Sequence, residues 1–267
     1  MWTSIAWEAE GSSMLRVERL RVAYGDQVVI PGLSFFVEPG QALGLIGPNG
    51  AGKTTVLRAL SGVIPLQAGA IFWEDVPLHT LPPEHRARWI AVVPQGASLP
   101  EAFTGEEVVS FGRTPYLSWL SALSETDRMH IEQAMIRTET RAFAERLVGT
   151  LSGGERQRLL IARAFAQTPR ILLLDEAFAH LDLKYQLRLL QLIRRMLWTD
   201  RMVGVLAIHD LHLAARFCDR LLLLKNGRAL AFGPPEEVLQ PALLEAAYEI
   251  PMGVERHPEA GWLIWPA

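Results

Sequence analysis

Cysteine is nearly missing from the 267 residues, with Cys218 standing alone. A single thiol excludes an internal disulfide framework and a cysteine-only metal cluster, and it suits a reducing compartment. Long apolar runs are missing too. The longest stretch without a charged side chain, Ala59–Trp73, is 15 residues and is broken by Gly62, Pro65 and Gly69, which is too short and too interrupted to span a bilayer. Nor is there an excess of positive charge. Lys plus Arg number 26 against 29 Asp plus Glu, a net charge of −3, which argues against a nucleic-acid partner held by a basic surface. Met1–Glu10 has neither Lys nor Arg and no apolar run of signal-peptide length, so the chain is expected to stay in the cytosol.

What is present is the balance of a globular chain with one or two domains: 49% apolar and 21% charged residues, enough to bury a sizeable core. Residues 1–13 show no periodicity and read as an N-terminal extension. From Met14 a loose period-two alternation over Leu15–Val22, a Gly25-Asp26 turn and apolar runs at Val28–Ile30 and Leu33–Val37 predict a small antiparallel sheet. Ala42–Ile46 reads as a buried strand running into a glycine-rich loop and a helix that ends near Gly62. Ile90–Val93 is strand-like. Between about 105 and 167 helical spacing replaces strand patterns, and charges such as Glu125-Thr126-Asp127-Arg128 read as a solvated helical face.

The α/β pattern returns after Arg170, with a strand at Ile171–Leu174, a helix at Lys184–Leu197 and a strand at Val203–Ile208. A hairpin follows around Asn226-Gly227, and residues 236–267 form a C-terminal tail with one short helix and a final hairpin. The layout predicts a parallel-sheet core interrupted by a helical insert, with one hydrophobic core and no repeat.

Gly47-Pro48-Asn49-Gly50-Ala51-Gly52-Lys53-Thr54 matches G-x-x-x-x-G-K-[ST] between a strand and a helix. Glycines let the backbone wrap an anion with successive amides turned inward. Lys53 supplies a point charge for the β- and γ-phosphates, and Thr54 a hydroxyl for Mg²⁺. Ile171–Glu176 is the natural complement: a buried strand ending in Asp175, suited to hold Mg²⁺, followed by Glu176, suited to polarise a water for attack on the γ-phosphorus.

A second anion-contacting segment is Leu151-Ser152-Gly153-Gly154-Glu155. Ser152 with Glu155 three residues on is a capping box that any helix could use. The two glycines in the first helical turn cost about 1 kcal/mol each relative to alanine. They make sense if bare amides at a positive helix end approach a ligand.

In this order the motifs resemble those of the ATP-binding cassette (ABC) ATPases. The family correspondence is Walker A at Gly47–Thr54 with Thr55 beside it, Gln95 in a Q-loop, the signature at Leu151–Glu155, Walker B at Ile171–Glu176, a D-loop at Leu181-Asp182, and His209 as switch histidine. The resemblance covers about residues 15–235. It implies an α/β fold: a P-loop NTPase with a RecA-like parallel-sheet core, an N-terminal antiparallel β subdomain and an α-helical signature subdomain. The ABC ATPase domain is placed at 14–235. It further implies ATP and Mg²⁺ as ligands, with Glu176, His209, Gln95 and Lys53 in catalysis and Thr54, Gln95 and Asp175 toward the metal. The loop 47–55, Ser152–Glu155, Asp182 and Tyr24 would contact nucleotide, Tyr24 by stacking on adenine.

With one copy of each motif, the resemblance implies a head-to-tail homodimer that sandwiches two ATP molecules. Asp182 also suits a plain helix N-cap. After Glu176 the chain has Ala177-Phe178-Ala179 where the family usually has Pro-Thr-Ser.

Two segments, Phe111–Leu117 and His180–Gln186, are similar to those of importers of iron–siderophore, haem and cobalamin. That resemblance implies two separate permease subunits, an external substrate-binding protein, no nucleic acid, and a cytoplasmic position on the inner face of the membrane. The alternatives are a soluble cassette scaffold of iron–sulfur cluster assembly, an importer of another solute, and a nucleic-acid cassette. The last usually needs two cassettes in one chain or a long coiled coil.

Overall fold

A computed structural model describes residues 14–118, 121–178, 181–258 and 261–267. The expected extension at 1–13, and Ala179 and His180 of the departure and importer-like segments, lie outside the described residues.

The chain opens with β1 (Leu15–Tyr24), β2 (Gln27–Val37) and β3 (Ala42–Ile46), then α1 (Lys53–Ser61), β4 (Ala68–Trp73), β5 (Val76–Pro77), α2 (Pro83–Arg86) and β6 (Ile90–Val93). The helical part holds α3 (Gly105–Ser110), α4 (Glu125–Arg137) and α5 (Gly153–Ala166). There follow β7 (Ile171–Asp175), α6 (Leu183–Thr199), β8 (Val203–Ala207), α7 (Leu211–Phe217), β9 (Arg220–Lys225) and β10 (Arg228–Gly233). The chain closes with α8 (Pro235–Val238), α9 (Pro241–Tyr248), β11 (Met252–His257) and β12 (Gly261–Pro266).

Six strands form the central sheet in the order β10-β9-β3-β8-β7-β6. All neighbours are parallel except the β9–β10 hairpin. Strands β3, β7 and β8 are buried along their whole length, which explains why they read as unbroken apolar runs rather than as alternation. Successive side chains nevertheless divide between two faces. Leu43, Leu45, Leu173 and Val205 join α1 and the antiparallel strands, whereas Ala42, Ile46, Leu172 and Leu174 join α5, α6 and α7. The expectation of one core is therefore corrected. Two apolar clusters lie on opposite faces of the sheet, because a parallel sheet must be covered twice.

The antiparallel sheet is larger than expected, in the order β2-β1-β4-β5. The chain comes back to it after α1, pairing Leu15 with Trp73 and Val17 with Ile71. Trp73 is the largest fully buried side chain. The helix α1 stops where predicted, with Gly62 in the left-handed C-cap conformation at φ 74°.

The insert is helical as expected, but the reading of Glu125–Arg128 as a solvated face fails at Asp127. That carboxylate is buried. It caps α4 through the Ser124 amide and hydroxyl and meets the Arg113 guanidinium at 2.8 Å. Arg113 in turn donates to Ala166 O at 2.8 Å and lies over the Tyr116 ring. One arginine thus ties the segment after α3 to the start of α4 and the end of α5. Residues 236–267 fold back on the domain: Lys225 Nζ donates to Ala246 O at 2.6 Å, and His212 Nδ1 lies 2.9 Å from Trp262 O.

Candidate nucleotide site

The glycine-rich loop leaves the end of β3, turns through Gly47, Gly50 and Gly52, all at positive φ, and enters α1 at Lys53. At Gly47, φ is 138° and a Cβ would stand 2.1 Å from Leu224 O on the adjacent strand. No other residue fits there. The loop is supported from behind by the β9–β10 turn, where the Gly227 amide donates to Ala51 O at 3.0 Å.

Lys53 is buried and donates to Gly47 O at 2.7 Å and Pro48 O at 3.0 Å. Burial lowers its pKa, opposed by the negative charges of Glu176 and Asp175. Thr54 Oγ1 donates to Asp175 Oδ1 at 3.0 Å, joining the first turn of α1 to the end of β7. Burial raises the Asp175 pKa, against the Thr54 hydrogen bond. Thr55 and Ala51 are buried under the loop, whose exposed crest is Asn49 and Gly50 beside the half-buried Pro48.

Glu176 follows Asp175 in the left-handed region at φ 47°. That turn takes its side chain out of the strand direction. One carboxylate oxygen, Oε2, accepts from Gln95 Nε2 at 2.6 Å. The other, Oε1, pairs with Nε2 of His209, just after β8. Gln95, Glu176 and His209 come from three separate strand ends, adjoining the Lys53, Thr54 and Asp175 group. The structure therefore brings together six polar side chains from four motifs that are distant in the sequence.

Two hard oxygens on one side, a hydroxyl and a carboxylate, suit a Mg²⁺ ion that takes its remaining ligands from phosphate and water. Among the described residues no group of three or more His, Cys, Asp or Glu is placed to hold a metal.

The second motif is placed differently. Ser152 caps α5 with Glu155 in the expected box, and the Ser152 amide donates to Glu155 Oε2 at 2.7 Å. Hydrogen bonds from the Ser152 backbone and hydroxyl lower the Glu155 pKa. A Cβ on Gly153 would meet nothing within 4 Å, and one on Gly154 only Tyr185 and Leu181 at 3.8 Å or more. The two glycines are thus not required by packing within the chain. No hydrogen bond or ion pair among the described residues joins Ser152–Glu155 to the phosphate loop. Asp182 occupies the N-cap of α6, yet its side chain accepts no capping bond. Tyr24 is 45% exposed beside the β1–β2 turn.

Sequence reading missed Tyr248. Its hydroxyl, pushed up to about 12 by burial, has a hydrogen bond with the Gly47 backbone. Tyr248 ends α9, 201 residues from Gly47 in the numbering, and no local pattern announces that contact.

A family model described as ABC transporter matches residues 30–179. The hemin import ATP-binding protein of Pseudomonas aeruginosa is 43% identical over 254 residues, covering 93% of this chain and 97% of that protein. The iron(3+)-hydroxamate import ATP-binding protein of Bacillus subtilis is 38% identical and covers 88% of each. Among solved structures, a chain from an inward-facing assembly described as of metal-chelate ABC transporter type superposes with a TM-score of 0.83 at 28% identity. It covers 96% of this chain and 98% of that one.

Proposed function

The chain belongs to the ABC transporter family, and from that premise we propose that it is the ATP-hydrolysing subunit of an importer of a metal chelate, an iron–siderophore, haem or cobalamin. The observation that carries the reading is Glu176 held by Gln95 and His209 next to Lys53 and the Thr54–Asp175 pair. It offers one carboxylate for water and another for a metal, both at the end of β7 beside the glycine-rich loop. Relatives named for import of hemin and of iron(3+)-hydroxamate support the solute class.

In this reading Lys53 and the inward amides of Gly50–Thr54 hold the β- and γ-phosphates. Thr54 and Asp175, with Gln95, would hold Mg²⁺, and the ion would supply charge neutralisation on the phosphate oxygens. Glu176 orients a water in line with the bond to the leaving oxygen and accepts its proton as the new phosphorus–oxygen bond forms and ADP departs. His209 contacts the γ-phosphate and keeps Glu176 in place, and Tyr24 stacks on adenine. Ser152, Gly153, Gly154 and Glu155 of one copy close over the γ-phosphate held by a second, and Asp182 bonds across the same interface. Gly153, exposed and with open space where a Cβ would stand, supports this pairing.

No helix among the described residues is long and apolar enough to cross a membrane. The translocation path is then provided by two permease subunits, with a binding protein on the far side. Phe103 and Phe111 stack edge-on at 5.3 Å and are both more than a third exposed, which supports a permease contact on the helical part. The cassette itself comprises 14–235 with the insert at 105–167. The test is co-expression with a candidate polytopic permease. Stable copurification and chelate-dependent uptake driven by ATP support the reading, whereas ATPase activity with no membrane partner favours a soluble scaffold.

A further inference from the structure

A cavity of about 570 Å³ opens between α5, the end of α4 and α6, with Gly154 of the Ser152–Glu155 motif and Leu181 in its lining. Its walls carry three arginines, Arg158, Arg188 and Arg195, against one carboxylate, Glu139. Among the described residues the guanidinium groups of Arg188 and Arg195 make no hydrogen bond, ion pair or ring contact. Arg158 is partly answered: it lies over the Phe143 ring and feels the Glu155 carboxylate. Its Nη1 lies 3.9 Å from Glu139 Oε2, a carboxylate 73% exposed, while its Nε is buried with no hydrogen-bond partner.

Three like charges around one concave space repel each other unless a counter-charge enters. Their spacing limits what that counter-charge can be. Arg188 and Arg195 are seven residues apart on one face of α6, hence separated by about 10 Å along its axis, and Arg158 faces them from α5. A monatomic or single tetrahedral anion reaches one or two of them. A molecule with several anionic groups reaches all three. Leu181, Tyr185, Leu189 and Leu192 line the space between, which suits a carbon skeleton rather than an inorganic chain alone. The volume is that of a small-molecule site.

We propose that this cavity is a binding site for a small soluble organic polyanion, one carrying two or more carboxylate or phosphate groups, read by Arg158, Arg188 and Arg195 with planar guanidinium forks. The occupant would bridge the helix that begins with the Ser152–Glu155 motif to the segment that follows Glu176. The binding claim does not depend on the solute assigned above.

The probe is citrate, titrated calorimetrically into the full chain in magnesium-free buffer, with pyrophosphate as a second probe. One saturable citrate site per chain is expected, weakened at least tenfold in Arg188→Gln/Arg195→Gln and unchanged in Arg228→Gln, an exposed arginine on β10. Far-ultraviolet circular dichroism verifies that each variant is folded. Lys53→Ala should retain the site. Absence of saturable binding of either probe to the unaltered chain overturns the proposal. So does binding that is lost in Lys53→Ala and kept in the double arginine variant, which assigns it to the phosphate loop. A third arm uses phosphatidylglycerol vesicles. Arginine-dependent retention on vesicles without citrate binding also overturns the proposal and points to a lipid headgroup.

Discussion

Gln95 Nε2 donates to Glu176 Oε2 at 2.6 Å across 81 positions of the chain. The contact places the loop after β6 against the carboxylate that follows β7, so any shift of that loop changes the environment of Glu176. Since Glu176 is the group proposed to take the proton from water, Glu176→Gln should bind ATP normally while turnover falls at least about 100-fold. With hydrolysis blocked, a dimer should accumulate with ATP on size-exclusion chromatography. Near-normal turnover would assign the water to another group.

Lys53 is buried with its ammonium on two carbonyls of its own loop. Lys53→Ala removes the cation proposed to meet the phosphates, and binding of a fluorescent ATP analogue should be lost. Tight binding in this variant would refute the assignment of the loop.

Tyr24 is proposed to stack on adenine. A face-to-face contact of this kind depends on the ring and not on its hydroxyl. Tyr24→Phe should keep the ATP KM, and Tyr24→Ala should raise it several-fold with kcat little changed. Equal effects of the two variants would point instead to a role for the hydroxyl.

The Asp127 carboxyl is held down at about 2, below its usual 3.8, by hydrogen bonds from Ser124 and then from Arg113. A depressed carboxyl contributes stability that is complete above the unfolded value and is lost as pH falls through the folded one. Asp127→Asn should therefore be less stable than the unaltered chain at neutral pH, and the gap should shrink between about pH 4 and pH 2 in urea titrations. Arg113→Leu leaves the carboxylate buried and unpaired, and should cost about 3 kcal/mol.

Gly227 has a φ of +73°, and a Cβ there would stand 1.7 Å from Val29 O. Its amide also holds Ala51 of the phosphate loop. Gly227→Ala should lower stability by at least about 2 kcal/mol. It should also weaken ATP binding, since the turn behind the loop must move. Unchanged thermal unfolding would show that the turn can relax at no cost.

The proposed nucleotide residues were legible because their patterns are local. The spacing from Gly47 to Thr54, the acids ending an apolar strand at Asp175 and Glu176, and Ser152 with Glu155 are each readable within a few residues. Helix ends such as Gly62 follow for the same reason. What escaped depended on distant parts of the chain. Strand β4 has no clean alternation because Gly69 and Ala70 interrupt it, and its pairing with β1 and β5 makes it a strand. Asp127 lies among charges that look solvated, and its burial is caused by Arg113, fourteen positions earlier. Tyr248 reaches Gly47 across most of the chain.

The order of residues determined which groups are on offer for the proposed chemistry: a lysine and glycine amides, a hydroxyl and carboxylate oxygens. Spacing along a backbone of fixed geometry dictates such loops without help from the rest of the molecule. Convergence was a different matter. Bringing Gln95, Glu176 and His209 within bonding distance needed parallel strands β6, β7 and β8 side by side in the right register. The same packing left three arginines around one cavity. Strand order and helix docking are set by burial of apolar surface, which has no direction along the chain, so they emerge only once the whole core has assembled.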